Sequence, residues 1–479
     1  MGPKSEGDYS KSMKSWKIGE IQWFVDDEGV IPVLHGITEP ESGRRGYIKA
    51  HYRNGLVFVK SFAEKGLPGF IRNRVASRGK REYELGKRLI GCSILTPVPI
   101  GYGISRMGSY IIQEWVDGKS LTAALKESDY DPELMAKLAR LLGSLKIHHF
   151  RHNDLHLDNV LVYGGQLYLI DLHKMKIKTA FTVADELANL SHALANVYEN
   201  LDISEREAFF GHYGNPGIRE PVERALDRLA ARWIRKKKER AFQETSIIVV
   251  RGNRLYRIGM ENRIQGKLES VIKEDQKVRV ERYSDHIRKI YTNRRRLERA
   301  WKAHVVLAYM DLPFAPPVFC VELPGEKSTG FIAMEDLREK GEELDRYLDR
   351  TYDSMDLRRR RMFIERLARF FLSLARKKII HKDLKACNVF TLTDGGFMVL
   401  DVEDIRFRVL DEEALKRMLI QLNTTIPKRV TAFDRLRFFL HFTSPMKVNK
   451  RAIFKAVVKE SVKREIVYEG LEGLRRESW

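Results

Sequence analysis

One eight-residue pattern occurs twice in this chain. Residues 152 to 159 read HNDLHLDN and residues 381 to 388 read HKDLKACN, both H-x-D-L-x-x-x-N. Ordinary residue usage gives a single chance match with a probability on the order of a few in a thousand. Two matches followed by the same local pattern are an internal repeat, and a repeat limits the fold before any motif is interpreted. After the first comes VLVYGGQLYLID and after the second VFTLTDGGFMVLD. Each reads as strand, turn (Gly164 and Gly165; Asp394, Gly395 and Gly396) and strand, ending in aspartate. Antiparallel strands bring their outer ends together, so Asn159 is expected near Asp171 and Asn388 near Asp401. Two hard oxygen donors then converge in each copy, as suits a magnesium ion carrying phosphates.

The repeat extends in both directions. Upstream of the first loop, Leu134, Met135, Leu138, Leu141, Leu142 and Leu145 fall at helical spacing behind an Asp131 cap and Pro132. Met362, Phe363, Leu367, Phe370, Phe371 and Leu374 do the same before the second. Downstream, EAFFGHYG and LRFFLHFT align at the offset that separates Asp154 from Asp383. The expected organisation is therefore two homologous domains, 1–240 and 241–479, with the boundary in the charged helical stretch RWIRKKKERAFQET. A length of 479 residues accommodates them without disulfide or metal staples.

Composition sets the partner class. Lys and Arg number 86 against 65 Asp and Glu, a net charge of +21, so the surface should attract phosphates, nucleic acid or anionic lipid. The basic runs RKKKER, RRRLER and RRRR lack interleaved aromatics, which makes nucleic acid the lesser reading. Cys92, Cys320 and Cys387 form no CxxC pair, as expected in a reducing, cytoplasmic compartment. The first residues have lysines but no apolar stretch behind them, and no window approaches the roughly 18 apolar residues of a spanning helix. Peripheral contact with the inner face of a cytoplasmic membrane fits the charge equally well.

Helix, H-x-D-L-x-x-x-N loop, hairpin and aspartate resemble the C-lobe of the protein-kinase-like fold. The segment IDLHK at 170 to 174 is similar to the lipopolysaccharide core kinases, the heptose and Kdo kinases of Gram-negative bacteria. The resemblance implies an α+β chain of tandem kinase-like domains, each with a β-rich N-lobe and a helical C-lobe. It implies ATP and Mg2+ as nucleotide and metal, and a sugar or glycolipid hydroxyl as acceptor. In the first copy YIKAHYRNGLVFVKSF reads as a hairpin about Asn54 and Gly55 with Lys60 on its second strand. Glu82 in the following helix is placed to pair with Lys60 and fix it on the phosphates. Gly43 and Gly46 are the nearest candidates for a glycine-rich loop, and a plain surface turn is the competing reading. The resemblance places the adenine edge on backbone groups near Glu114 and Val116. Asp154 would accept the acceptor's proton, with Asp383 its counterpart, while Asn159, Asp171, Asn388 and Asp401 would hold metal. His152 is expected to pack and hydrogen-bond the loop; His156 either reaches the γ-phosphate or is structural.

The second copy departs from the pattern in its N-lobe. Aligning VFVKSF with VRVERYS puts Glu281 at the lysine position, and aligning REYELGKRL with RAWKAHVVL puts Ala300 opposite Glu82. Glu298 lies on the wrong helix face to replace it. The second domain is therefore expected to be degenerate or weakened as a nucleotide site, unless Arg282 or Lys385 rebuilds it. Aminoglycoside- and choline-type phosphotransferases share the loop and are the alternative enzyme class. A pseudokinase scaffold for anionic surfaces is the non-enzymatic one.

Overall fold

The computed structural model describes residues 13–37, 46–63, 73, 77–128, 130–310, 312–325 and 329–479. The chain divides into two compact units, Met1–Ala230 and Ala231–Trp479, with helix Arg219–Glu239 running across the division. Gly43 lies outside the described residues. Gly46 is described, and its N–H donates to Ser61 Oγ at 2.8 Å.

In the first unit a six-stranded antiparallel sheet has the order Lys14–Ile18, Ile21–Val25, Pro99–Ile104, Gly108–Glu114, Gly55–Ala63, Tyr47–Tyr52. Alternation along Gly55–Ala63 turns Val57 and Val59 into a core with Trp23 and Ile112. Lys60 and Phe62 then face the other way, where Phe62 packs with Tyr83 of helix Arg78–Gly91. The first hairpin turns at Arg53 and Asn54, since Tyr52 pairs with Gly55, one residue before the expected Asn54-Gly55 turn. Inward-facing valines determine the register here, and Arg53 takes the positive φ of 51° instead.

Helix Pro132–Ile147 starts as expected, the Asp131 carboxylate accepting the Glu133 N–H at 2.9 Å. Met135, Leu138, Leu142 and Leu145 are buried, with Leu134 and Leu141 packed at the margin. Each such side chain contributes roughly 1.5–3 kcal/mol by leaving water. This core, shared with Phe209 and Phe210 of helix Ile203–Tyr213, carries the loop and the hairpin Val160–Tyr163/Gln166–Leu169. Gly164 and Gly165 make the turn with φ of 55° and 70°, a pair of positive values that side chains disfavour.

The second unit has a seven-stranded antiparallel sheet: Ile248–Arg251, Arg254–Arg257, Val318–Glu322, Gly330–Met334, Ile287–Tyr291, Val278–Tyr283, Leu268–Glu274. Among the described residues the last strand has no counterpart in the first unit. Helix Leu357–Arg376 buries Phe363, Leu367, Phe371 and Leu374, whereas Met362, expected on that face, is half exposed. The lower lobe repeats the first unit down to strained backbone. His149 and Lys378 take φ of 59° at corresponding turns, and Asp171 and Asp401 take φ of 61° and 49° where each hairpin ends. Each unit thus has the expected β-rich lobe and helical lobe.

Candidate active site

Strand Phe150–His152 delivers the first loop. Its edge is fixed by Asn189, whose side chain accepts the His152 N–H at 3.0 Å and donates to the Phe150 carbonyl at 2.8 Å. The His152 ring is buried, and its Nδ1 accepts the Asp154 N–H at 3.2 Å. Burial pushes this histidine down to about 4, against the pull of Asp154 and Asp171, so the ring is a neutral loop brace at physiological pH. That is the structural role expected of it. Asn159 Nδ2 donates to the Asp154 carbonyl at 2.9 Å and approaches His156 Nε2 at 3.1 Å. His156 is thereby engaged with the loop, its Nε2 lying 3.7 Å from the Asp154 carboxylate.

The hairpin closes as expected. The Ile170 N–H donates to the Asn159 carbonyl at 2.9 Å, bringing Asn159 beside the residue preceding Asp171. Asp171 sits in the left-handed region (φ 61°, ψ 42°), an uncommon conformation for a residue other than glycine. Lys60, 4% exposed, lies 3.3 Å from Glu82 Oε1, itself 2% exposed, and also pairs with Asp171. Sequence reasoning brought Lys60 and Glu82 together correctly. It missed two groups on the segment after Asp171. His173 Nδ1 is 3.4 Å from Glu82 Oε2, and Lys174 pairs with the Asp154 carboxylate. Burial alone would raise the Asp154 carboxyl, but the Lys174 hydrogen bond and charge outweigh it and hold it below the usual carboxylate range. Lys174 stands in the IDLHK segment, where the aspartate-plus-three spacing was the available signal.

Glu82, Asp171 and His173 converge closely enough to ligate a metal. The Lys60 ammonium already occupies that side of the cluster, so a second cation there would meet a fixed positive charge. The other pair fits a hard divalent ion better. Asn159 spends its Nδ2 on the loop, which leaves its amide oxygen as a neutral donor at the strand end whose carbonyl accepts the N–H of the residue before Asp171.

At the expected adenine edge, the Glu114 N–H is committed to the Val98 carbonyl at 2.9 Å and the Trp115 N–H to Leu56 at 2.8 Å. Val116 has no backbone hydrogen bond among the described residues, so at this edge its N–H is the donor left for a ligand.

The second unit corrects the expectation about its lysine. Glu281 lies on Val278–Tyr283, one strand further out than the counterpart of the Lys60 strand, and pairs with Arg279 at 2.8 Å. The strand between Gly330–Met334 and that outer strand is Ile287–Tyr291, as Gly55–Ala63 lies between Gly108–Glu114 and Tyr47–Tyr52. It carries Lys289, whose Nζ is 2.5 Å from Asp401 and 2.9 Å from Glu403. Arg282 is engaged elsewhere, with Asp336 at 3.0 Å. Ala300 does stand at the Glu82 position, fully buried, and Glu298 faces outward to Arg294 at 2.9 Å. The missing carboxylate comes instead from Glu403, two residues past Asp401, where the first unit has His173.

Glu403 is 1% exposed and is held by Lys289, by Tyr291 Oη at 3.2 Å and by Arg296 at 3.1 Å. A second exchange accompanies the first. The cation beside the loop aspartate is Lys174 in the first unit but Lys385, 3.1 Å from Asp383, in the second, where Asp404 occupies the Lys174 position. Asn388 keeps its bond to the Asp383 carbonyl at 2.8 Å, and Asp401 keeps the left-handed backbone (φ 49°, ψ 51°).

The sequence pattern of the lipopolysaccharide kinase (Kdo/WaaP) family matches residues 37–209 and again 269–439, together well over half of the chain. A search of curated proteins finds no match. Among solved structures, one described as WaaP in complex with acyl carrier protein aligns at 19% identity over 43% of this chain and 88% of that one, with a TM-score of 0.32.

Proposed function

Because the chain belongs to the lipopolysaccharide kinase (Kdo/WaaP) family, we propose that its first unit transfers the γ-phosphate of ATP to a sugar hydroxyl of a lipopolysaccharide core or similar glycolipid. The observation that carries this reading is the buried Lys60–Glu82 pair with the half-buried Asp171 beside the Asp154 loop. Phosphoryl transfer passes through a loose transition state, so the protein chiefly positions groups and neutralises charge. Lys60, kept in place by Glu82, draws the nucleotide phosphates toward Asp171. Asn159 and Asp171 would hold Mg2+, which would supply positive charge against the nucleotide phosphates. The Asp154 carboxylate takes the proton of the acceptor hydroxyl as its oxygen bonds to the γ-phosphorus and the bond to the β-phosphate oxygen breaks, releasing ADP. Val116 would offer its N–H to the adenine edge.

Among the described residues no helix is long and apolar enough to cross a membrane. Contact with an anionic leaflet through the excess of basic residues belongs to the same proposal, since the acceptor it names is a membrane lipid. The test is ATP turnover against a panel of core glycolipids, free sugars and aminoglycosides. Lys60→Met should raise the KM for ATP at least tenfold with a glycolipid acceptor; an unchanged KM would remove Lys60 from the nucleotide site. Turnover only with aminoglycosides would move the enzyme to the antibiotic-kinase class.

Lys174 makes a separate expectation. Its charge stabilises the ionised form of Asp154, so Lys174→Ala should raise the carboxyl's pKa and shift the acidic limb of the kcat/KM profile to higher pH. A limb that stays in place would show that the titrating base is another group.

A further inference from the structure

We propose that the second unit is also a nucleotide-phosphate site, in which Glu403 has taken over the lysine-orienting role that Glu82 has in the first. The proposal rests on reading the first unit as an ATP site and extends that reading to a unit whose helix lacks the expected glutamate.

Removing one member of a buried ion pair leaves the other charge uncompensated. The second unit shows loss matched by gain. Where the helix has Ala300 in place of Glu82, the segment after the hairpin has Glu403 in place of His173, and Lys289 remains paired and nearly enclosed. Where that segment has Asp404 in place of Lys174, the loop has Lys385 in place of His156, and Asp383 keeps a lysine partner. Lys289 and Asp383 thus each keep an oppositely charged partner although the segments supplying those partners differ, and Arg296 adds a further cation on Glu403. A buried lysine and carboxylate carry a desolvation penalty, and a fold with no use for them is better served by apolar residues there. Lys289 is further aimed at Asp401, which keeps the strained backbone of Asp171, and the hairpin ties Asn388 to the residue before Asp401 while the Asn388 amide is oriented by the loop. This combination of a cation, a carboxylate and an amide oxygen matches a triphosphate with its divalent ion.

Glu403 is a positioning residue on this view, acting through Lys289. It also differs from Glu82 in its origin. Glu82 belongs to a separate element, helix Arg78–Gly91, whereas Glu403 belongs to the same short segment as Asp401, so lysine orientation and metal-side geometry are set together in the second unit.

Equilibrium dialysis of the full chain with Mg2+ and a non-hydrolysable ATP analogue counts the sites. Two per chain are expected in the parent, one in Lys60→Met, one in Lys289→Met and none in the double variant. In the Lys60→Met background, Glu403→Gln keeps size and the contacts to Tyr291 and Arg296 but removes the charge facing Lys289, and should weaken the remaining site about tenfold. Ala300→Glu combined with Glu403→His recreates the arrangement of the first unit and should restore binding to within a few-fold. One site in the parent that Lys289→Met leaves in place would overturn the proposal. Undiminished affinity in Glu403→Gln would overturn the role of Glu403. If the reading of the first unit is the one at fault, Lys60→Met leaves the count unchanged while Lys289→Met still lowers it.

Discussion

Asp154→Asn is expected to slow phosphoryl transfer by roughly 10²- to 10⁴-fold, the range over which a positioned proton acceptor contributes. The change keeps the shape of the side chain and leaves the backbone bonds of the loop, from the Asp154 N–H to His152 and from Asn159 to the Asp154 carbonyl. ATP binding should therefore stay within a few-fold of the parent. The loss should appear in kcat with little change in the KM for ATP, as follows when an interaction is made only on the way to the transition state. Asp383→Asn serves as the comparison. If only that variant loses turnover, the reaction belongs to the second unit; if neither does, the assignment of the proton acceptor fails.

Gly79→Ala should have the largest effect on stability of any single methyl added to the first unit. Gly79 lies in the first turn of helix Arg78–Gly91, behind the Ser77 cap, with its N–H bonded to Ser109 Oγ at 3.2 Å. A Cβ there would lie 2.6 Å from the Tyr110 carbonyl carbon and 2.8 Å from its nitrogen, and closer still to the carbonyl oxygen. These are backbone atoms in the middle of a sheet and cannot rotate away, so the helix must move. Overpacking of this kind costs about 1–3 kcal/mol and here should reach the upper end or exceed it. Since the same helix presents Glu82 to Lys60 one turn further on, the KM for ATP should rise together with the fall in the unfolding temperature. Normal values of both would mean that helix and sheet separate freely at this contact.

The lower lobes were largely legible because their information is local. Asp131 and Pro132 start a helix, two glycines turn a hairpin, and the loop aspartate, asparagine and closing aspartate lie within 18 residues of one another in the first copy (154 to 171). Such spacing fixes who meets whom almost without reference to the rest of the chain. The upper lobe of the second copy was misread for a physical reason. The added strand Leu268–Glu274 pairs with Val278–Tyr283 to make a hairpin ahead of the expected one, and VRVERY then imitates the lysine strand one hairpin too early. Applying to Lys60 the offset that relates Asp154 to Asp383 points to Lys289, so the signal was present and overridden by a local likeness. The alignment of Ala300 with Glu82 did hold, because Leu297, Ala300, Trp301, Ala303 and His304 repeat the buried spacing of Gly79, Glu82, Tyr83, Leu85 and Gly86. Glu403 had no sequence signal of that sort. A glutamate two residues past an aspartate means nothing until the fold places it against a lysine from a strand more than a hundred residues away.

The relocation of one carboxylate makes the two copies poor sources of spare parts for each other. A recombinant joining the β-rich lobe of the first copy to the helical lobe of the second would set Glu82, Glu403 and Asp401 around a single lysine. The reciprocal product would combine Ala300 with His173 and leave that lysine with Asp171 alone. Neither has the charge balance of either parent. A chimera of the two copies is therefore expected to keep a balanced lysine only where the crossover leaves residues 82 through 173, or their counterparts 300 through 403, in one piece. At the lysine, therefore, the two copies are not interchangeable piece by piece.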